Sequence, residues 1–174
     1  MKLKYIVEED QILVKESLEL KGLSRTIRKK ARVQDNIFIN GEKAKNYYEL
    51  HKGDTLELDF FESPNDEIYP SDINLDIRYE DDYFIIINKE RGIASQPSRK
   101  HLKDNVISGV KSHFIKNNIE SNVHLVNRLD LNTSGLMIIA KDGLTHFEFS
   151  KVDIKKQYLC LVTGILDNDE GVID

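Results

Sequence analysis

Residues 124–141 have the sequence HLVNRLDLNTSGLMIIAK, in which a polar stretch runs directly into an apolar one. The eight residues from Arg128 to Gly135 combine Arg, Asp, Asn, Thr, Ser and Gly, and the range 136–140 is unbroken apolar. A short apolar run bounded by turn-forming residues is typical of a buried strand. We therefore predict a polar turn followed by a core strand, a setting in which binding and catalytic sites tend to be built.

From composition alone, this turn has two interpretations. It could be an ordinary capped turn with a surface ion pair between Arg128 and Asp130. It could instead be a site, in which Asp130 is a carboxylate held close to Arg128. In that case Thr133, Ser134 and Gly135 would fix the loop through their hydroxyl and backbone N–H groups.

Length and composition limit the class of protein. The 174 residues suit one average domain or two small ones. With 40% hydrophobic and 32% charged residues, the chain is too apolar to be disordered. Its longest apolar runs have five residues, whereas a membrane-spanning helix needs about 20. The first residues lack a secretory signal, and Cys160 is the only cysteine, which excludes a disulfide framework. We expect a cytoplasmic protein that does not enter a membrane.

Basic residues are concentrated in one part of an acidic chain. The formal net charge is −5, yet the range 21–45 holds eight Lys and Arg residues and two acidic ones. Such an island is a candidate anion-binding surface. Arg25, Arg28, Lys29 and Arg32 are three or four residues apart, which places most of them on one helix face. Lys43 and Lys45 could extend the patch. The alternative is a solvated helix face.

Turn-forming residues divide the chain into two units. The range 62–72, ESPNDEIYPSD, holds two of the three prolines and is the predicted linker. We therefore predict one unit over 1–61 and a second over 73–174. The first is expected to contain a helix over 12–20 ended by Gly22, a helix over 25–32 capped by Ser24, and strands over 37–39 and 55–60 with a hairpin turn at Asn40-Gly41.

The second unit is predicted to combine strands and helices without a regular alternation, which favours an α+β fold over a doubly wound sheet. Familiar enzyme motifs such as a P-loop, GxGxxG, HExxH and GxSxG are missing. The five histidines lack metal-ligand spacing, so no metal site is predicted. The expected elements are strands over 83–88, 136–140 and 158–162, a helix capped by Asp104 with Val106, Val110 and Phe114 on one face, and a short helix over 145–150.

The stretch quoted first closely resembles the signature of RluA-type RNA pseudouridine synthases. That signature is Arg-Leu-Asp, then Thr-Ser-Gly-Leu, an apolar strand and a lysine. The resemblance extends from about Leu75 to the last residue, because blocks on both sides match in order and spacing. The matching blocks are Tyr79–Tyr83 with Ile87–Lys89 and Gly92, Arg128–Asp130, Thr133–Leu136, Lys141, Lys156–Leu159 and Val162–Gly164.

The first unit resembles the αL RNA-binding fold, which a small-subunit ribosomal protein, tyrosyl-tRNA synthetase and many pseudouridine synthases share. Three pieces carry the resemblance: Gly22–Arg25, Ile39–Gly41 and Lys52–Asp54. Together the two resemblances imply an α+β protein, with a small αL-type RNA-binding module followed by a partial mixed-sheet pseudouridine synthase catalytic domain.

The resemblance implies an enzyme that isomerises uridine to pseudouridine in structured ribosomal or transfer RNA, without a metal or cofactor. The target base would be flipped into a pocket. Asp130 maps to the family's catalytic aspartate, Arg128 would orient it or hold RNA, and Tyr158 could stack on the uracil. The expected phosphate-contacting residues are Arg25, Arg28, Lys29, Arg32, Lys43 and Lys45.

Two departures from the family pattern bear on these expectations. Asn127 stands where the family commonly has histidine, and we expect a changed RNA contact there with the chemistry intact. The chain also stops partway through the catalytic domain, so we expect a fragment that isomerises poorly alone. Two alternatives stay open: a non-catalytic RNA-binding protein that uses the αL-type module, and a structural fragment with no RNA role.

Overall fold

Two antiparallel sheets, each with its own apolar core, organise the chain in this computed structural model, which describes residues 2–23, 25–33, 35–59, 68–165, 168 and 170–172. The first unit contains a four-stranded sheet in the order β1-β6-β3-β4 and a two-stranded sheet of β2 and β5. Its elements are β1 (Lys2–Ile6), β2 (Ile12–Leu13), α1 (Val14–Leu20), α2 (Arg25–Val33), β3 (Ile37–Ile39), β4 (Glu42–Lys43), β5 (Glu49–Leu50) and β6 (Thr55–Asp59).

The core of the first unit follows the alternation predicted for β6. Leu56 and Leu58 are buried, and the residues that alternate with them along the strand are half-buried. Leu58 lies opposite Leu3 of β1 and Ile37 of β3, and Leu56 lies opposite Tyr5 and Ile39 of the same strands. One face of the sheet therefore packs against α1 and α2. The helices contribute Val14, Leu18 and Ala31 to this core.

The turns of the first unit confirm two predictions and correct one. Gly22 ends α1 with a φ of +77°, and Leu23 N–H donates to Leu18 O at 3.0 Å, the bond that marks a Schellman cap. Asn40 and Gly41 both have positive φ, as a two-residue hairpin turn requires. The predicted helix over 12–20 begins only at Val14, because Ile12 and Leu13 pair with β5. The predicted cap Ser24 lies outside the described residues.

The second unit contains a four-stranded sheet in the order β7-β8-β10-β9, with one face covered by a helix. All of its strand pairs are antiparallel, whereas a mixed sheet was expected. Ile85, Ile87, Met137 and Ile139 form the buried layer against Val106, Val110 and Phe114. The elements are β7 (Asp76–Glu80), β8 (Phe84–Lys89), α3 (Val106–Lys116), β9 (His124–Leu125), β10 (Gly135–Ala140) and α4 (Gly143–Ser150).

Two predictions for the second unit are wrong. Asn105, not Asp104, caps α3: its Oδ1 accepts the N–H of Ser108 at 3.0 Å, while Asp104 bonds His101 at 2.7 Å. The range 158–162 forms no strand, and its leucines are fully exposed. A strand needs a partner for its backbone groups, and among the described residues no strand pairs with this range.

The two units contact each other through α4. Phe147 packs against the core of the first unit, and a Cβ placed on Gly22 would lie 3.8 Å from its Cζ. The ammonium of Lys151 lies 4.2 Å from the centre of the same ring. The helix that follows β10 thus also touches the loop between α1 and α2. Residues 62–67 of the predicted linker and the last residue of the predicted strand over 55–60 lie outside the described residues.

Candidate active site

A cleft of about 680 Å³ opens beside the turn between β9 and β10. Arg128 and Asp130 both line it, as predicted for two members of one site. The other polar residues in its wall are Ser95, Gln96, Ser98, His101, Asn127 and Lys156. Ser95, Gln96 and His101 lie on the loop between β8 and α3, and neither they nor Lys156 were predicted as site residues, because no motif joins them to Asp130.

Leu129 explains why its two neighbours face the cleft. Its side chain is buried in the core of the second unit, whereas Arg128 and Asp130 are exposed. In extended backbone, successive side chains point to opposite sides. A leucine anchored inward therefore turns the residues before and after it outward.

Ser95 holds the backbone of Leu129 from the other wall of the cleft. Its Oγ accepts the N–H of Leu129 at 3.1 Å and donates to the carbonyl of the same residue. Ser95 is itself buried. One hydroxyl thus satisfies both backbone groups of the residue between Arg128 and Asp130, which fixes the turn at its centre.

Lys89 supports the far side of the same turn. Its buried ammonium donates to the carbonyls of Ile93 at 2.8 Å, Glu90 at 3.0 Å and Leu131 at 3.4 Å. Burial lowers the pKa of Lys89, and the negative charge of Asp130 acts in the opposite direction. A positive charge is therefore buried under the loop that carries the exposed carboxylate.

Backbone bonds complete the support on the Asp130 side. The carbonyl of Leu131 also accepts the N–H of Gly92 at 2.7 Å, and the carbonyl of Asp130 accepts the N–H of Thr133 at 3.0 Å. Thr133 therefore shapes the loop, as the sequence analysis expected. Asp130 lies between residues whose backbone is held, while its carboxylate stays open to the cleft.

The side chain of Asn127, for which we predict a changed RNA contact, bonds the backbone of β10. Its side-chain NH₂ donates to the carbonyl of Leu136 at 3.1 Å, and its Oδ1 accepts the N–H of Ile138 at 2.8 Å. The amide thus pairs with the edge of β10 as a peptide group of a neighbouring strand would. The expected change of RNA contact at this position is untested.

The predicted surface ion pair does not form in this turn. The structure, within its described residues, has no salt bridge between Arg128 and Asp130; Arg128 instead donates to Gln96 Oε1 at 3.4 Å. Both side chains are free to meet a ligand in the cleft. For these described residues, the geometry therefore shows neither the surface ion pair of the first interpretation nor the close contact between Arg128 and Asp130 that the second expected.

Tyr158 is not brought to this cleft. Its side chain is 63% exposed and lies in a segment without regular structure. Lys156, two residues earlier, does line the cleft. The structure thus assembles two of the three predicted catalytic residues and leaves the third outside.

The basic residues of the first unit are only partly free. Arg28 bonds both carboxylate oxygens of Glu19, at 2.8 and 3.3 Å, and Lys45 lies 2.5 Å from Asp35. All but Arg28 are exposed: Arg25, Lys29, Arg32, Lys43 and Lys45. The six predicted positions therefore do not form one uniform cationic face.

Neither a metal site nor a membrane span is found in the part of the chain that the structure describes. No group of three or more His, Cys, Asp or Glu residues among those described could hold a metal ion. No helix formed by the described residues is long and apolar enough to cross a bilayer.

Comparison with known proteins assigns the family. Residues 83–174, more than half of the chain, match the model of the RNA pseudouridylate synthase family. The chain belongs to this family. The match includes the turn with Arg128 and Asp130.

Relatives in several bacteria match over most of the chain. The uncharacterized RNA pseudouridine synthase YjbO of Bacillus subtilis is 36% identical over 80% of this chain and 51% of its own length. YhcT of the same organism is 32% identical over 79% of the chain and 47% of its own length. The ribosomal large subunit pseudouridine synthase D of Borreliella burgdorferi is 32% identical, over 72% and 42%. The chain spans about half the length of the curated relatives it matches.

Proposed function

We propose that this chain acts in the isomerisation of uridine to pseudouridine in RNA, with Asp130 as the catalytic carboxylate. The observation that carries the proposal is the position of Asp130: a carboxylate exposed to a cleft, on a turn whose backbone is held on both sides, within the residues that match the family. Preorganised groups of this kind are what catalysis requires.

The reaction suits a single carboxylate. The bond from uracil N1 to ribose C1′ breaks, the base rotates, and C5 bonds to C1′, after which C5 loses its proton and N1 gains one. A carboxylate can attack as a nucleophile, or stabilise positive charge at C1′ while a sugar proton is removed. Nothing is added to the product, so the proposal includes no cofactor and no metal.

Arg128 and Tyr158 have supporting roles in the proposal. Arg128 shares the cleft with Asp130 without pairing with it, which leaves its guanidinium available for an RNA phosphate. Tyr158 is proposed to stack on the flipped uracil. Because its ring lies outside the cleft here, this role requires the segment around it to move.

Structured RNA is the proposed partner, and the chain is proposed to be of the RluA type. Support comes from the Borreliella relative, which is named for the large ribosomal subunit; transfer RNA is the other proposed substrate, and the cytoplasm the proposed location. The first unit is proposed to be an αL-type RNA-binding module. Its phosphate contacts would come from Arg25, Lys29, Arg32 and Lys43, with Arg28 and Lys45 available only if their acidic partners release them.

A tritium-release assay on RNA labelled at uridine C5 tests the proposal. Activity is measured for the 174 residues alone and for a fusion in which the part of YjbO beyond the matched region follows. We expect the fusion to turn over RNA and the chain alone to do so poorly. Asp130→Asn should lower the turnover of the fusion on the order of a thousandfold or more while RNA affinity stays within about twofold.

A matched variant separates chemistry from folding. Asp82→Asn makes the same change at an exposed position of the β7–β8 turn and should leave turnover unchanged. Undiminished turnover by Asp130→Asn would overturn the proposal. RNA binding with no turnover in the unmodified fusion would instead favour the alternative, a non-catalytic RNA-binding protein.

A further inference from the structure

The loop that leads into α3 carries a second concentration of positive charge. Residues 91–103, RGIASQPSRKHLK, contain four Lys and Arg residues and no acidic one. Two of them, Arg99 and Lys100, are consecutive. In an acidic chain, a loop that carries several positive charges and no negative one is a candidate anion-binding surface.

Arg99 and Lys100 form the tip of an ordered turn. Ser98 and His101, on either side of them, exchange backbone hydrogen bonds at 3.3 and 3.1 Å. The side-chain NH₂ of Asn105 donates to the carbonyls of His101 and Leu102 at 3.1 and 3.2 Å. Asn105 is fully buried and also caps α3, so the turn is attached to the start of a core helix.

The base of this turn belongs to the cleft. Ser98 and His101 both line it, together with Arg128 and Asp130. The Nδ1 of His101 bonds Asp104 at 2.7 Å, which fixes the ring on the helix side. The tip of the turn therefore stands at the rim of the cleft that holds Asp130.

The two tip side chains are exposed and unengaged. Neither Arg99 nor Lys100 has an ion-pair or hydrogen-bond partner among the residues that the structure describes. This distinguishes them from Arg28 and Lys45 in the first unit, whose charges are neutralised by carboxylates. Two unpaired cations on an ordered turn are free to bind an anion without first breaking an internal bond.

We infer that the turn over 98–101 is an RNA-binding surface in which Arg99 and Lys100 contact phosphates flanking the nucleotide that enters the cleft. The inference rests on the proposed function, because it requires RNA at the cleft. It adds a contact surface on the second unit that is separate from the predicted basic face of α2. Phosphate contacts of this kind position a substrate without reading its sequence.

The test measures the salt dependence of RNA binding by the 174-residue chain. The probe is a fluorescent RNA hairpin of about 20 nucleotides with uridines in its loop, titrated between 50 and 200 mM KCl. Arg99→Ala/Lys100→Ala removes two phosphate contacts and should lower the slope of log K against log[salt] by about 1.5. Raising the KCl concentration across this range should therefore weaken RNA binding by the variant roughly tenfold less than it weakens RNA binding by the unmodified chain. The charge-conserving variant Arg99→Lys/Lys100→Arg should restore binding.

A charge-matched control distinguishes contact from long-range attraction. Arg78 lies on β7, the edge strand farthest in sheet order from β9, and Lys116 on α3, and both pair with aspartates. Arg78→Ala/Lys116→Ala changes the net charge equally and should leave the slope unchanged. If it lowers the slope as much as the turn variant does, or if the turn variant has no effect, the inference is wrong. Failure of the unmodified chain to bind the hairpin would instead count against the proposed function.

Discussion

The turn that carries Asp130 and the segment that carries Tyr158 differ in how the chain holds them. The turn receives a hydroxyl from Ser95, an ammonium from Lys89 and a backbone N–H from Gly92. The segment over 152–165 has no strand partner within the described part of the chain, and Leu159 and Leu161 in it are fully exposed. Both were proposed from the same resemblance, so a matching motif does not by itself place a residue in a site.

The difference has a local physical cause. Lys89 is the last residue of β8 and residues 90–95 follow it, and β8 pairs along its whole length with β10. The end of β8 lies beside the start of β10, because Lys89 pairs with Gly135. This places Lys89 and the following loop with Ser95 next to the turn before Gly135. The segment around Tyr158 follows α4 and has no such neighbouring strand. The pairing of β8 with β10 is thus what holds the turn that carries Asp130.

Lys89→Ala should have the largest effect on the stability of the turn. It removes a buried four-carbon stem, leaving a cavity, and the carbonyls of Glu90 and Ile93 lose their donor. We expect a loss of about 3 kcal/mol in the free energy of unfolding, measured by urea denaturation followed by circular dichroism. Lys116→Ala removes an exposed lysine paired with Asp72 and should cost less than about 1 kcal/mol. Equal losses in the two variants would contradict the support we assign to Lys89.

Ser95→Ala should have an intermediate effect, concentrated at Leu129. The N–H of Leu129 would be left buried without a partner, which lowers the free energy of unfolding by about 1–3 kcal/mol. Hydrogen exchange of the Leu129 amide should accelerate, and urea denaturation should show the loss. Ser108→Ala is the control, because that buried hydroxyl has no hydrogen-bond partner among the described residues and its removal should be near neutral. Unchanged exchange at Leu129 in Ser95→Ala would show that the hydroxyl does not hold the turn.

Tyr158→Ala should have the smallest effect. An exposed side chain in a segment without regular structure contributes little, so we expect a change within about 0.5 kcal/mol in the free energy of unfolding. The same variant of the fusion with YjbO should lose turnover if the ring stacks on uracil. A loss of more than about 1 kcal/mol in the chain alone would mean that the segment packs against the protein after all.

Periodicity and turn chemistry predicted the elements whose own residues determine them. The apolar run after Gly135, the alternation in β6 and the Asn40-Gly41 turn are local signals, and all three are found. The range 158–162 is equally apolar but forms no strand, because a strand depends on a partner that its own residues do not encode. Asn105 was missed as the cap of α3 because Asp104, beside it, is an equally good capping residue.

The site was predictable only in part for a similar reason. Only Leu129 separates Arg128 from Asp130 in the sequence, so both could be named from one motif. Ser95 and His101 reach the cleft from the loop before α3, and Lys156 reaches it from the segment after α4. No spacing in the sequence links them to Asp130. The basic turn over 98–101 was not predicted, because the basic residues over 21–45 were the ones that stood out by charge. Only the structure shows that its base lines the cleft.

The amide of Asn127 has a consequence for association between copies of the chain. Together with Val126 N–H, which donates to the carbonyl of Ile138 at 2.9 Å, it occupies the outward backbone groups of β10 beyond the short pairing with β9. An open strand edge is a template on which another molecule can add a strand and begin to aggregate. Here a side chain blocks that template, so the sheet resists edge-to-edge polymerisation along β10 without needing a charge or a proline there.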